Sequence, residues 1–147
     1  MGTLILPGKP QTYKPLRFFR GQIYAPHSRE KKKAQRILDE QATLQRPGAP
    51  PLRQAVKVDV ILDFKRPKSH WSKNQPATGQ LKASASEHVI KKPDVDNCLK
   101  FVLDTPAVGY WRSMQPNILA DDSVVTEAKV RKRWAATEQT TIELSIL

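Results

Sequence analysis

The chain lacks most of what marks a secreted, membrane-spanning or nucleotide-driven protein. Cys98 is its only cysteine, so no intrachain disulfide can form. No run approaches the ~18 apolar residues of a membrane span. Met1 to Pro10 has no apolar core of the kind a secretory leader carries. The expectation is therefore a cytoplasmic protein without a membrane partner. A glycine-rich phosphate loop is missing, which excludes a nucleotide-driven motor and a nucleotide cofactor. His27, His70 and His88 lack zinc-ligand spacing and are expected in structural or hydrogen-bonding roles. Acidic residues are also scarce: 14 Asp and Glu face 25 Lys and Arg, leaving a net charge of +11. An excess of that size speaks of partners rather than fold, and nucleic acid is the first polyanion to consider.

What is present suits one compact domain over residues 1–147. Thr3–Pro7 is a short apolar stretch closed by Pro-Gly, a first strand and turn. Residues 8–27, with Pro10, Pro15 and Pro26, suggest irregular or edge structure. Ser28 is placed to cap a helix over 29–45, whose apolar stripe is Ala34, Ile37, Leu38 and Leu44. Pro47-Gly48-Ala49-Pro50-Pro51 ends it. In 54–64, Val56, Val58, Val60, Leu62 and Phe64 alternate with Lys57, Asp59 and Asp63, the pattern of a half-buried strand. Residues 65–86 form a long polar connection, of a length usually kept for function or disorder. A second helix over 95–104 carries Val95, Leu99, Val102 and Leu103 on one arc, and Pro106 stops it. Residues 107–120 read as loop, and Val124–Trp134 and Thr140–Leu147 as strands. The order implies an α/β fold, one mixed sheet with helices packed on it.

Half of the acidic residues, seven of fourteen, fall within 87–127, whereas 1–46 carries ten cations and three acids. Carboxylates gathered in one region of a basic chain need a reason, and a divalent cation supplies one because it reverses the local sign. Asp94 and Asp96 stand one residue apart at a helix start, so their side chains can point the same way. Hard oxygen ligands of this type suit Mg²⁺ or Mn²⁺. Asp96, Lys100 and Asp104 follow at intervals of four along one polar edge, which sets Lys100 to reach a phosphate or a leaving oxygen. Asp121-Asp122 is a second acidic pair. If the sheet brings it beside Asp94 and Asp96, three or four carboxylates converge, a constellation suited to metal-assisted phosphodiester hydrolysis.

Taken singly, each of these residues has a plainer reading. Asp96 can cap the helix with Asp94 solvated. Lys100 can be an i,i+4 partner of Asp96 or Asp104, and Asp121-Asp122 can form a turn. An EF-hand is excluded: the glycine and glutamate its loop requires are replaced by Leu99 and Thr105.

The segment Lys92-Pro93-Asp94-Val95-Asp96-Asn97-Cys98-Leu99-Lys100-Phe101-Val102-Leu103-Asp104 resembles the K-P-D-x-D-N-L-x-K-x-x-x-D motif of the RusA family of Holliday junction resolvases. Trp111 followed by Asp121-Asp122-Ser123-Val124 is similar to that family's aromatic, D-D and strand. Phe64-Lys65-Arg66-Pro67-Lys68-Ser69-His70-Trp71 looks like a segment common in its phage-encoded members, and Leu81-Lys82 and His88 also fit. The resemblance spans roughly 54–134. It implies a homodimeric α/β endonuclease, often of phage or prophage origin, that resolves four-way junctions by symmetric cuts with Mg²⁺ or Mn²⁺ and serves recombination and repair. It further implies Asp94, Asp96 and Asp122 as metal ligands, Asp121 as an assisting carboxylate, Lys100 as the catalytic lysine on the phosphate side, and Asp104 as a supporting residue. Two features depart from the pattern: Cys98 replaces a leucine, an apolar exchange, and 105–120 resembles an insertion. The alternatives are a basic DNA- or RNA-binding protein without catalysis, and a metal nuclease for other branched or duplex DNA.

A junction binder needs many phosphate contacts. Candidates are Arg17, Arg20, Lys65, Arg66, Lys68, Lys73, Lys82, Lys91, Lys92 and the group Lys129–Arg133, Lys132 included. Arg29, Lys31, Lys32, Lys33 and Arg36 suggest a solvated helix face. Phe18, Phe19, Tyr24 and Trp71 lie among basic residues and could stack on unpaired bases, although core packing is the simpler expectation for Phe18 and Phe19.

Overall fold

A computed structural model describes residues 2–24, 28–105 and 118–147. Pro26, His27 and Trp111, the side chain of Ser28 and most of the 107–120 loop lie outside the described residues. The elements are β1 (Thr3–Pro7), β2 (Arg17–Phe19), β3 (Gln22–Tyr24), α1 (Ser28–Gln45), β4 (Val56–Phe64), α2 (Val95–Asp104), β5 (Val125–Trp134) and β6 (Gln139–Ile146). They form the expected α/β arrangement: a four-stranded sheet in the order β1-β6-β4-β5, with the two helices packed on it. β4 is antiparallel to β6 and parallel to β5, so the sheet is mixed. Parallel neighbours require a crossover, and here the crossover carries α2.

The period-two pattern of β4 places Val56, Val58, Val60, Leu62 and Phe64 in the core, each at most 1% exposed. Ile142 and Leu144 of β6 and Leu4 and Leu6 of β1 extend this face. α1 covers it with Ala34, Leu38 and Ala42; Ile37 packs at the margin, while Leu44 is 84% exposed and leaves the expected stripe. On α2 the buried arc is Cys98, Phe101 and Val102, with Leu99 and Leu103 at its edge and Val95 outside. The arc is turned from the expected one because Phe101, the largest apolar side chain of the helix, takes the interior. Ile118 and Leu119, at the end of the insertion-like segment, are fully buried, and the backbone on either side of Leu119 is tied to Leu52: the Leu52 N–H donates to the Ile118 carbonyl and the Ala120 N–H to the Leu52 carbonyl, both at 2.9 Å. That end of the segment is core, not loop.

Two side chains of α1 close the outer edge of β1. Gln41 accepts from the Ile5 N–H and donates to the Ile5 carbonyl, both at 2.7 Å, and Gln45 donates to the Thr3 carbonyl. Residues 8–27, expected to be irregular or edge, contain a second, two-stranded sheet, β2 with β3. Its turn is Arg20-Gly21, both at positive φ (48° and 74°), the backbone that joins two strands through two residues.

Asp63 departs from the alternation. Instead of facing solvent it is 1% exposed, and it pairs with Arg133, its register partner on β5. A buried carboxylate left without its cation is costly. Arg133→Met is expected to lower stability in urea unfolding by about 2–4 kcal/mol, and adding Asp63→Leu is expected to recover much of that loss.

Candidate active site

The topology sets where the acids can be. The chain leaves β4 at Phe64, returns along the sheet as α2 and enters β5 at Val125. The start of α2 therefore stands near the end of β5, and its last residue, Asp104, near the beginning. The lead-in to α2 is held by Lys132 of β5, whose ammonium donates to the carbonyls of Lys91 (2.7 Å) and Pro93 (3.1 Å). Lys132 was a candidate phosphate contact; the structure uses it to fix the loop that presents Asp94.

Asp94 occupies the N-cap position of α2, yet its side chain accepts no capping hydrogen bond. It lies 4.0 Å from the Lys92 ammonium, and its side chain is 57% exposed. Asp96 is in the first turn and is also exposed. Capping thus does not account for this pair. The two acids share a neighbour in Cys98, fully buried beneath them. Its thiol is pushed up to about 11, by burial first and with contributions from Asp94 and Asp96, while Lys132 opposes. Cys98 is the apolar filler expected at that position.

Lys100 projects from the exposed side of α2 over the ring of Tyr13, with its nitrogen 3.9 Å from the centroid. Lys31 lies 5.3 Å from the same ring and bonds Asp104 at 3.2 Å. The Tyr13 N–H donates to the Asn97 carbonyl at 2.9 Å, fastening the N-terminal segment to α2. Tyr13 was not foreseen; a lone tyrosine between prolines carries no periodic signal. Its ring holds Lys100 through cation–π attraction in place of the helix-edge ion pairs expected for that lysine.

Asp121 and Asp122 form a turn of 3₁₀ helix before β5. The Asp121 carboxylate accepts the Ser123 N–H at 2.8 Å, which holds its pKa below the usual value. Asp122 is pushed up, by partial burial first, then by its contact with Asp121 and by the charge of Asp104. Its acidic neighbours are thus at the far end of α2. Among the described residues, no three His, Cys, Asp or Glu side chains converge on one ion position. The expected convergence of both acidic pairs is not formed there. The parallel crossover is the reason, because it sets the two pairs toward opposite ends of a helix roughly 15 Å long.

The donor chemistry still fits a hard divalent cation. Asp94 and Asp96 offer exposed, uncapped carboxylates, and Mg²⁺ needs only one or two of these when water and phosphate complete its shell.

The remaining cations divide into two groups. Arg17, Lys65, Lys68, Lys73, Lys91 and Lys92 are exposed. Arg66 instead braces the 65–86 connection, donating to the Ser86 carbonyl at 2.9 Å and stacking on Trp134, whose indole N–H reaches the same carbonyl at 3.2 Å. His70 meets Trp134 edge-on, and Lys82 is bonded to Asn74. The long polar connection is thus ordered, with short 3₁₀ turns between Lys68 and Thr78 and its two ends pinned to the end of β5.

A comparison with protein-family models matches residues 7–145 to the family described as endodeoxyribonuclease RusA. No curated protein sequence matches the chain. No helix among the described residues is long and apolar enough to cross a membrane.

Two expectations follow from this geometry. Asp122 has a raised pKa in the fold, so its ionised form opposes folding above about pH 4 and has no effect once it is protonated in both states. Without metal, Asp122→Asn is expected to raise the unfolding free energy in urea titration at pH 7 by less than about 1 kcal/mol, and to leave it unchanged near pH 2.5. Lys132→Met is expected to free the Lys91–Pro93 carbonyls, detectable as faster amide exchange across 91–97 with the protection of β4 intact.

Proposed function

The chain belongs to the RusA endodeoxyribonuclease family, and on that footing we propose that it resolves four-way DNA junctions by phosphodiester hydrolysis dependent on Mg²⁺ or Mn²⁺. It acts as a homodimer in the cytoplasm, in recombination and repair, with each subunit cutting one of two symmetric strands. The carrying observation is the family match across nearly the whole chain, supported by an Asp94–Asp96 pair that the fold leaves uncapped beside Lys100.

Asp94 and Asp96 would hold the cation, while Asp121 and Asp122 stand toward the other end of α2, beside Asp104. A divalent ion held there would supply a water of lowered pKa and offset the charge that develops on phosphorus. Lys100, steadied by the Tyr13 ring, contacts the scissile phosphate and favours departure of the leaving oxygen. Lys91 and Lys92, on the loop before Asp94, attract the backbone on either side. Arg17, Lys68 and Lys73 extend the phosphate track, while Arg66, Lys82 and Lys132 serve it by fixing the loops on which it runs.

Asp94→Asn and Asp96→Asn are each expected to abolish cleavage of a labelled four-way junction in Mg²⁺, while binding measured in EDTA stays equal or tightens as carboxylate–phosphate repulsion is removed. Cleavage that persists in both variants, or that proceeds in EDTA, would sink the metal-dependent mechanism. Equal cleavage of junction and linear duplex would sink the substrate assignment.

A further inference from the structure

Among the described residues, nothing covers the β2–β3 hairpin. All six of its strand residues are exposed, and the apolar ones strongly so: Phe18 at 73%, Phe19 at 62% and Ile23 at 70%, with Leu16 at 62% just before it. A lone two-stranded hairpin is marginal in water, and contiguous exposed apolar surface marks a contact site. Successive residues of a strand face opposite sides, so Phe18 and its register partner Ile23 present one face, and Phe19 with Arg17 and Tyr24 the other. Arg20 at the turn lies over the Phe19 ring at 5.3 Å. The ribbon therefore carries one phenylalanine on each side and arginines at its tip and base.

Charge identifies the occupant. From Gly8 to Tyr24 there are four cations, Lys9, Lys14, Arg17 and Arg20, and no carboxylate. Apposing two such hairpins from separate copies would set cation against cation, whereas DNA supplies phosphates for the arginines and base faces for the rings. Position agrees. Tyr13, which touches both Lys100 and the Asn97 carbonyl, is four residues before Arg17, so the base of the hairpin stands within roughly 14 Å of the Tyr13 Cα. The chain thus tethers the hairpin close to the part of α2 that carries Asn97 and Lys100.

We infer that the hairpin is a branch-point wedge: Phe18 and Phe19 stack, one on each side, on the bases that flank the opening of a DNA junction, while Arg17 and Arg20 hold the adjoining phosphates. The inference rests on the junction reading above and deepens it, because it assigns the choice of branched over linear DNA to the hairpin and leaves hydrolysis to the acids. Stacking requires exposed base faces, which a branch point offers and a continuous duplex does not.

The test uses the full chain in EDTA and a four-way junction with 2-aminopurine beside the branch point, against a linear duplex carrying the same label. The wild type is expected to change the probe's emission on the junction alone. Phe18→Ala and Phe19→Ala are expected to abolish that change and to weaken junction binding about 5- to 100-fold, the range for loss of one stacked base, with duplex binding altered little. Phe18→Trp is expected to restore both signals, and the urea midpoints and sedimentation masses of all variants to match the wild type. A fall in mass for the alanine variants with an unchanged probe signal overturns the inference and makes the hairpin a contact between copies. Equal weakening on junction and duplex overturns it in favour of general attraction. Selective junction binding by the wild type that the alanine variants retain removes the wedge and leaves the junction reading standing. A wild type with no preference for the junction removes both.

Discussion

Because β4 and β5 run side by side in the same direction, the chain between them must travel back along the sheet before it can pair again. The acids and the loops that present them are on that return path. The pinned connection 65–86, the lead-in held by Lys132, and α2 with its acids are successive parts of one crossover. The parallel pairing is itself secured at the end of β4 by the buried pair of Asp63 with Arg133, and beside it by Trp134, against which Arg66 and His70 pack. The end of β5 is consequently structural and functional at once. Its side chains hold the sheet together and also fix the loops that lead to Asp94.

The arrangement separates two roles that a list of basic residues would merge. Lys132, Arg66 and Arg133 donate into the protein, to carbonyls or to a carboxylate. Lys68, Lys73, Lys91 and Lys92 remain at the surface. A cation that satisfies buried acceptors gains local order and contributes little to long-range attraction, whereas an exposed one steers phosphate. The large positive excess is therefore divided between holding the molecule and recruiting its substrate.

Much of the fold was legible in the sequence because burial imposes a period on it. β4, β6 and both helices follow from the alternation of apolar residues, and β1 from its short apolar run. What escaped was set by contacts that no single segment contains. Asp63 reads as a solvent-facing acid until its register against Arg133 is known. Lys132 reads as one cation in a run until the carbonyls of Lys91 and Pro93 are placed beside it. Phe18 and Phe19 read as core residues because large apolar side chains gain from burial, yet the hairpin forms a sheet of its own and none of the described residues covers it. The motif from Lys92 to Asp104 was plain as chemistry, and its helix formed as expected. The meeting of its acids with Asp121 and Asp122 depended on helix direction, which the crossover decides and the motif does not encode.

The glutamines of α1 have a bearing on assembly. A sheet grows sideways only where backbone donors and acceptors are free, and proteins guard such margins. Along β1 that margin is taken by Gln41 and Gln45, whose amides occupy the positions of a missing neighbouring strand. At the opposite margin, β5 presents exposed Lys129 and Arg131, which meet an approaching copy of the same strand with like charge. Two chains cannot fuse into one continuous sheet through β1 without displacing both amides, so the guarded margin turns self-association away from that edge.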